Sequence, residues 1–179
     1  MAGKTHFPTA GGYEWAGFLS QYFPFMPMGN VFFVNSATGT NASGYGHSPE
    51  APFASIAYAF SSDRVTASND DYVIVMPGHT ETISAAAGIV ADIAGVTVVG
   101  LGTGTKRPTI TLDTIISADI DIDAANITFR NLLFVANFLD ITAAIDVNAA
   151  GFTMENCECR DTSVSLNAII WVLGASSTT

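Results

Sequence analysis

Ile120-Asp121-Ile122-Asp123-Ala124-Ala125-Asn126-Ile127-Thr128-Phe129, at residues 120–129, reappears downstream as Ile145-Asp146-Val147-Asn148-Ala149-Ala150-Gly151-Phe152-Thr153-Met154, at residues 145–154. The same pattern stands upstream, at residues 89–98, as Ile89-Val90-Ala91-Asp92-Ile93-Ala94-Gly95-Val96-Thr97-Val98. Ten positions align without a gap in all three copies. Short β-type runs repeating at intervals of this size are the mark of a stacked solenoid, in which each unit buries its apolar side only against its neighbours. The interval from Ile89 to Ile120 is longer by six than that from Ile120 to Ile145, and the addition is expected in the loop-like stretch from Gly102 to Asp113.

The columns of this alignment assign side chains to faces, because successive residues of a strand point to opposite sides. Val96/Ile127/Phe152 and Val98/Phe129/Met154 are expected to point inward, with Thr97, Thr128 and Thr153 forming an outward β-branched column between them. A small residue, Gly95/Asn126/Gly151, turns the chain before each strand. After the strand, Val99/Arg130/Glu155 places Arg130 against Glu155 on the next coil. Gly100/Asn131/Asn156 follows at a turn, where Asn131 and Asn156 can take a left-handed conformation and bond along the stack as an asparagine ladder. Leu132 and Phe134 then match Cys157 and Cys159, which makes the two cysteines core residues. With one residue between them they point the same way, cramped for a mutual disulfide, and no further ligands with metal-site spacing lie nearby.

Upstream, Val31 to Asn35 reads as a strand, followed by a polar Gly-rich loop from Ser36 to Glu50 and a helix from Ala54 to Phe60. Ser55 or Ala51-Pro52 would start that helix and Ser61-Ser62-Asp63 would end it. Tyr72 to Met76 is a continuous apolar run before the Pro77-Gly78 turn, as expected of a strand buried on both sides or opening a coil. Downstream, Ile170-Trp171-Val172 follows Ile145-Asp146-Val147 at the interval that separates the latter from Ile120-Asp121-Ile122, so a further coil is expected to begin there.

With these motifs in hand, the chain from about Val31 to Leu173 resembles the pectate-lyase-like right-handed β-helix superfamily. Phe33 to Asn41 and Gly46 to Ala57 are similar to that family's opening strand, Gly-rich loop, Pro-Phe and capping helix, and Val73 to Thr80 to its first full coil. The resemblance implies an all-β, short right-handed parallel β-helix with an N-terminal capping helix, to which residues 1–30 add an extended aromatic arm. It implies little about function, because the fold hosts lyases, hydrolases, tailspikes and inert structural modules.

Composition bounds the rest. The chain is 49% hydrophobic and 12% charged, enough apolar material for a core and unlike a disordered sequence. Sixteen acidic residues against six basic ones leave a net charge of -10, which argues against nucleic acid, whose phosphates require clustered Lys and Arg. No stretch has the length and apolarity of a membrane span. The opening residues lack a basic stretch followed by an apolar run, so synthesis in a host cytoplasm and delivery by assembly are expected.

Residues 1–30 form a separate arm and residues 31–179 the β-helix domain. The arm gathers Phe7, Tyr13, Trp15, Phe18, Tyr22, Phe23 and Phe25, with Met26 and Met28, and is broken by Gly and Pro. Such a segment cannot bury itself alone. Either it folds back on its own domain or it docks on a partner, where aromatic and Met side chains anchor interfaces.

Reactive residues are scattered. Asp119, Asp121 and Asp123 alternate outward, with Asp146 stacked on Asp121 and with Asp92 and Asn148 flanking Asp123. Such carboxylates suit calcium or a plain acidic surface; the latter is preferred, with no metal and no cofactor expected. Arg130, Glu155, Glu158, Arg160 and Asp161 form the only dense mixed-charge group, without the two carboxylates across a cleft that glycoside hydrolysis requires. His6, His47 and His79 are expected at the surface, and no catalytic triad order stands out.

Short acidic β-helices with an aromatic arm and no catalytic site resemble phage virion proteins: capsid decoration proteins, head fibres and short spikes. The expectation is a non-enzymatic viral structural protein located in the virion, most simply a capsid decoration or head-associated protein. It would dock through its arm on the major capsid or another virion protein. A homotrimer would cover the lateral faces, where Val99 and Leu133 are outward apolar residues. The alternative is a tailspike-like β-helix that binds or degrades polysaccharide.

Overall fold

The computed structural model describes residues 29–61, 65–162 and 167–174. Among them, thirteen strands form three parallel sheets that wind as a β-helix of about four turns. The first sheet holds β1 (Val31–Val34), β2 (Tyr72–Val75), β5 (Thr97–Gly100), β8 (Thr128–Arg130) and β11 (Thr153–Glu155) in that order. The second holds β4 (Ile89–Ala91), β7 (Ile120–Ile122), β10 (Ile145–Val147) and β13 (Val172–Gly174). The third holds β3 (Thr80–Ile83), β6 (Thr109–Leu112), β9 (Leu133–Ala136) and β12 (Glu158–Asp161).

The pairing registers reproduce the sequence alignment. Thr97 pairs with Thr128 and Thr128 with Thr153, while Ile120 pairs with both Ile89 and Ile145. Inside, Val73, Val98, Phe129 and Met154 stack as one column, and Ile89, Ile120 and Ile145 as another. Each fully buried Val, Ile or Phe contributes about 1.5–3 kcal/mol, so these columns carry the stability of the stack. Phe129 sits between Phe134, stacked at 6.1 Å, and Phe152, edge-on at 5.4 Å.

Two register expectations shift. The insertion lies in the loop from Leu101 to Pro108, which holds a 3-10 turn at Gly104–Lys106. Before that loop Thr97 pairs with Thr128, and after it Thr109 pairs with Leu133, so the loop adds seven positions rather than six. At the C-terminal end Val172, not Ile170, pairs with Ile145, which lengthens the last interval by two. Asp161 still pairs with Ala136 at the shorter interval, and Ala168 bridges Ile141 at the longer one, so the addition falls between them. An insertion of two preserves the inward face because the strand period is two.

The turns show why particular residues occupy them. Asn126, Asn131 and Asn156 are left-handed at φ 60°, 54° and 51°, and Gly95 and Gly151 share the turn column with Asn126. A Cβ at Gly151 would collide with the Asn126 side-chain oxygen below it. Gly100 is not left-handed; it is small because the Asn131 carbonyl passes where its Cβ would lie.

The N-terminal end of the stack is closed by α1 (Ile56–Ser61), which begins two residues later than expected and buries Ile56, Ala59 and Phe60 on the core. Ser55 caps it through Oγ, which accepts the Tyr58 N–H at 3.1 Å. At the other end no helix closes the core among the described residues: Phe152, Met154, Cys157 and Cys159 face inward but are only partly buried, with Val172 and Leu173 exposed beyond them.

Candidate functional site

The outer surface and the capped end offer four places where polar or apolar groups converge. The first lies under the capping helix. Pro77-Gly78 turns His79 into the top of the solenoid, where it is fully buried rather than at the surface. The correction has a physical cause: both ring nitrogens find partners there. Nδ1 accepts the Ser36 N–H at 3.0 Å, so Nε2 carries the proton and donates to Glu81 at 3.2 Å. Glu81 shares the inward face of β3 with Ile83 and accepts the Ile56 and Ala57 N–H groups at 2.7 and 3.2 Å. A carboxylate in the core column thus caps the helix that closes the core. Asp71, also buried, accepts hydrogen bonds from the Asn30 and Thr66 backbones and from the Thr66 and Asn69 side chains. These groups hold the fold's first coil together, and their chemistry is already satisfied.

The second place is the acidic face of the second sheet. Asp146 pairs with Asp121 in register, and Asn148 Nδ2 donates to Asp123 at 2.9 Å. Partial burial, then repulsion from Asp119, Asp123 and Asp146, raises the Asp121 carboxyl above its ordinary value. Partial burial also raises Asp119, opposed by the Ala87 N–H that bonds to it and reinforced by Asp146. No cluster of three or more His, Cys, Asp or Glu side chains able to hold a metal is found among the described residues.

The third place is the mixed-charge group. Arg130 meets Glu155 at 2.6 Å across β8 and β11. Arg107, from the inserted loop, reaches Glu158 at 3.2 Å and the Asn156 carbonyl. Arg160 lies 3.7 Å from Glu158. Asp161 does not join them: it sits in the inward column of β12 and accepts the Ala168 N–H. Asn156 Nδ2 donates to Asn131 Oδ1 at 3.1 Å, and Asn131 Nδ2 donates to the Gly100 and Gly102 carbonyls. Thr97 and Thr128 are half-buried and Thr153 exposed, all outward. Beside the capping helix an open cleft of about 410 Å³ is lined by Asn41, Ser55, Tyr58 and Asp92, among others.

The cysteines lie on the last described inward level of the core. Cys157 and Cys159 are half-buried, unbridged, and on the same face. Burial raises the Cys157 thiol, and burial with Cys157 and Glu158 beside it pushes Cys159 up to about 11. Both are thiols, not thiolates, at neutral pH.

The fourth place is an apolar strip on the outside of the first sheet. Phe33, Ile74, Val99 and Leu101 form a cluster separate from the core, with Val31, Tyr72 and Met76 packed against it. The repeat alignment marks Val99 as an outward apolar residue but not the strip; the signal for it is the continuous apolar run from Tyr72 to Met76, which fits a strand buried on both sides, and the like run from Val31 to Val34. Leu133, outward on the third sheet, is buried as well. The arm residues Phe7, Tyr13, Trp15, Phe18, Tyr22, Phe23 and Phe25, and His6, lie outside the described residues.

Fold and surface together define a parallel β-helix protein in which several outer polar side chains join levels of the stack. Comparison with protein-family models, curated proteins and solved structures finds no match. Among the described residues no helix is long and apolar enough to cross a membrane.

Proposed function

We propose that this chain is a non-enzymatic structural protein of a phage virion, a capsid decoration or head-associated module of the pectate-lyase-like β-helix type that docks through residues 1–28. The observation that carries the reading is where the outer polar groups go. Arg130 to Glu155, Arg107 to Glu158 and Asn156, Asn156 to Asn131, and Asn148 to Asp123 all run along the stack, from coil to coil. A surface organised in that way suits a rigid rod or knob, and the aromatic arm supplies the anchoring side chains.

Sedimentation of the full chain and of a variant lacking residues 1–28 tests the docking role. The expected result is a trimer that becomes a monomer with its β spectrum retained; an unchanged assembly state overturns it. Mass spectrometry of purified virions tests the location, and absence of the chain from them ends the virion reading.

A second reading, a tailspike-like β-helix acting on carbohydrate, is favoured by the cleft of Asn41, Ser55, Tyr58 and Asp92. Reducing-end release from acidic polysaccharides, measured with and without calcium, separates the two. Release that disappears on changing Tyr58 or Asp92, which line the cleft, would replace the first reading.

A further inference from the structure

The outward columns of the first sheet change character along the stack. One column runs Phe33, Ile74, Val99, Arg130, Glu155, each residue paired with the next across adjacent strands. At its last two levels the side chains are 38% and 48% exposed, as expected for positions open to water. At its first three levels exposure falls to 7%, 1% and 5%, and Leu101 beside them is 6% exposed. All of these side chains leave the outer face of the sheet, so their shielding needs atoms lying over it. The described apolar residues packed on the cluster, Val31, Tyr72 and Met76, belong to the same strands or their immediate ends. They stand beside the strip on the outward face of the same sheet.

We propose that residues 1–28 of the same chain form that roof, seated across Phe33, Ile74, Val99 and Leu101. The chain enters at the border of the strip: Asn30 precedes β1, and its N–H is held at 2.6 Å by the buried Asp71 carboxylate from the neighbouring coil. Gly29 passes so close to the Asn69 carbonyl that a side chain there would collide with it. The direction of entry is therefore set by buried contacts. Strands within a sheet lie roughly 5 Å apart, so three levels are crossed by a handful of extended residues, well within the reach of the arm. The segment's composition matches an apolar seat, with seven aromatic residues, Met26 and Met28, and only Lys4 and Glu14 charged apart from His6. Pro24 and Pro27, just before the entry point, cannot donate to a ladder, which favours lying on the face over adding a strand at the β1 edge. Seated there, the arm is a braced layer whose other side meets a partner, not a loose tether. The seat stands on this geometry whether or not the protein belongs to a virion.

Photo-crosslinking in the full chain tests the seat. Benzoylphenylalanine replaces Tyr72, which borders the strip and is already aromatic, and in a parallel sample replaces Arg130. Irradiation of a mixture of isotopically light and heavy chains is followed by peptide mapping. The expected product joins position 72 to a peptide within residues 1–28 of the same isotopic chain, with no such product from position 130. Crosslinks between light and heavy chains would assign the strip to a second copy, and crosslinks to no peptide of 1–28 would overturn the proposal outright. In a second measurement, the full-length double variant Ile74→Thr, Val99→Thr keeps β-branched residues on the strands but weakens the seat. Protease cleavage within residues 1–28 is expected to accelerate at least about tenfold; an unchanged rate contradicts the seat.

Discussion

The two ends of this β-helix are built from the same repeat but meet water differently. At the N-terminal end the core is closed by α1, the polar groups beneath the helix are buried and paired, and even the outer face of the first sheet is apolar and shielded. At the C-terminal end the inward residues Phe152, Met154, Cys157 and Cys159 are only partly buried, with no strand paired beyond β11 and β12 among the described residues, and the outer face carries Arg130 and Glu155. A solenoid coil has no core of its own. The value of an inward side chain therefore depends on how many neighbouring coils cover it as well as on its size.

The strongest way to break this comparison is to make the same truncation in both regions. Phe129→Ala, between two coils, is expected to cost about 3–5 kcal/mol. Phe152→Ala, on the last inward layer and only half-buried, should cost roughly half as much. Urea unfolding of the two variants measures this directly. Equal losses would mean that the final coil is as well covered as the middle one.

The caps sharpen the contrast at the next scale. Glu81 and Asp161 occupy inward positions of the third sheet near its two ends, and each accepts backbone N–H groups from the segment lying against it. Glu81→Gln turns an amide donor either toward the Ala57 N–H or toward the Ile56 N–H and His79 Nε2–H that share one oxygen, and is expected to cost about 2–3 kcal/mol. Asp161→Asn disturbs one partly exposed bond and should cost under about 1 kcal/mol. Thermal melting separates them, since about 1 kcal/mol moves Tm by roughly 2–4 °C at this size.

The smallest effects belong to the open charged surface. Arg130→Ala removes an exposed pair and should change stability by less than about 1 kcal/mol. Asp121→Asn should be slightly stabilising at pH 7, by roughly a degree or two in Tm. Its carboxyl is raised in the folded state, so the folded chain binds the proton more tightly than the unfolded one. Ionisation therefore costs stability at neutral pH, and that cost is relieved as pH falls through the raised value toward the ordinary 3.8. The advantage of Asp121→Asn should shrink over the same window, as followed by melting temperature against pH. A gap that widens on acidification would contradict the assigned direction.

Much of this architecture is legible in the sequence because a solenoid's pairing partners lie at a nearly constant sequence distance. The columns at Thr97, Thr128 and Thr153, and the turn residues Asn131 and Asn156, align by eye and occupy neighbouring levels in the structure. His79 looks like a surface residue in its own segment, because its burial depends on the distant Ser36 and on Glu81 facing a helix whose position no local pattern encodes. Repeat spacing also sets Val172 two positions out of register, because an even-numbered insertion leaves the inward pattern intact.

By itself the sequence determined the parallel repeat, the inward and outward faces and the left-handed asparagine turns, all consequences of periodicity and local backbone preference. Tertiary structure alone decided which outward residues are shielded, how the N-terminal end is closed, and that Glu81 is the cap of α1. Those depend on contacts between coils and on what lies across a face, which a side chain's place in its own repeat does not specify.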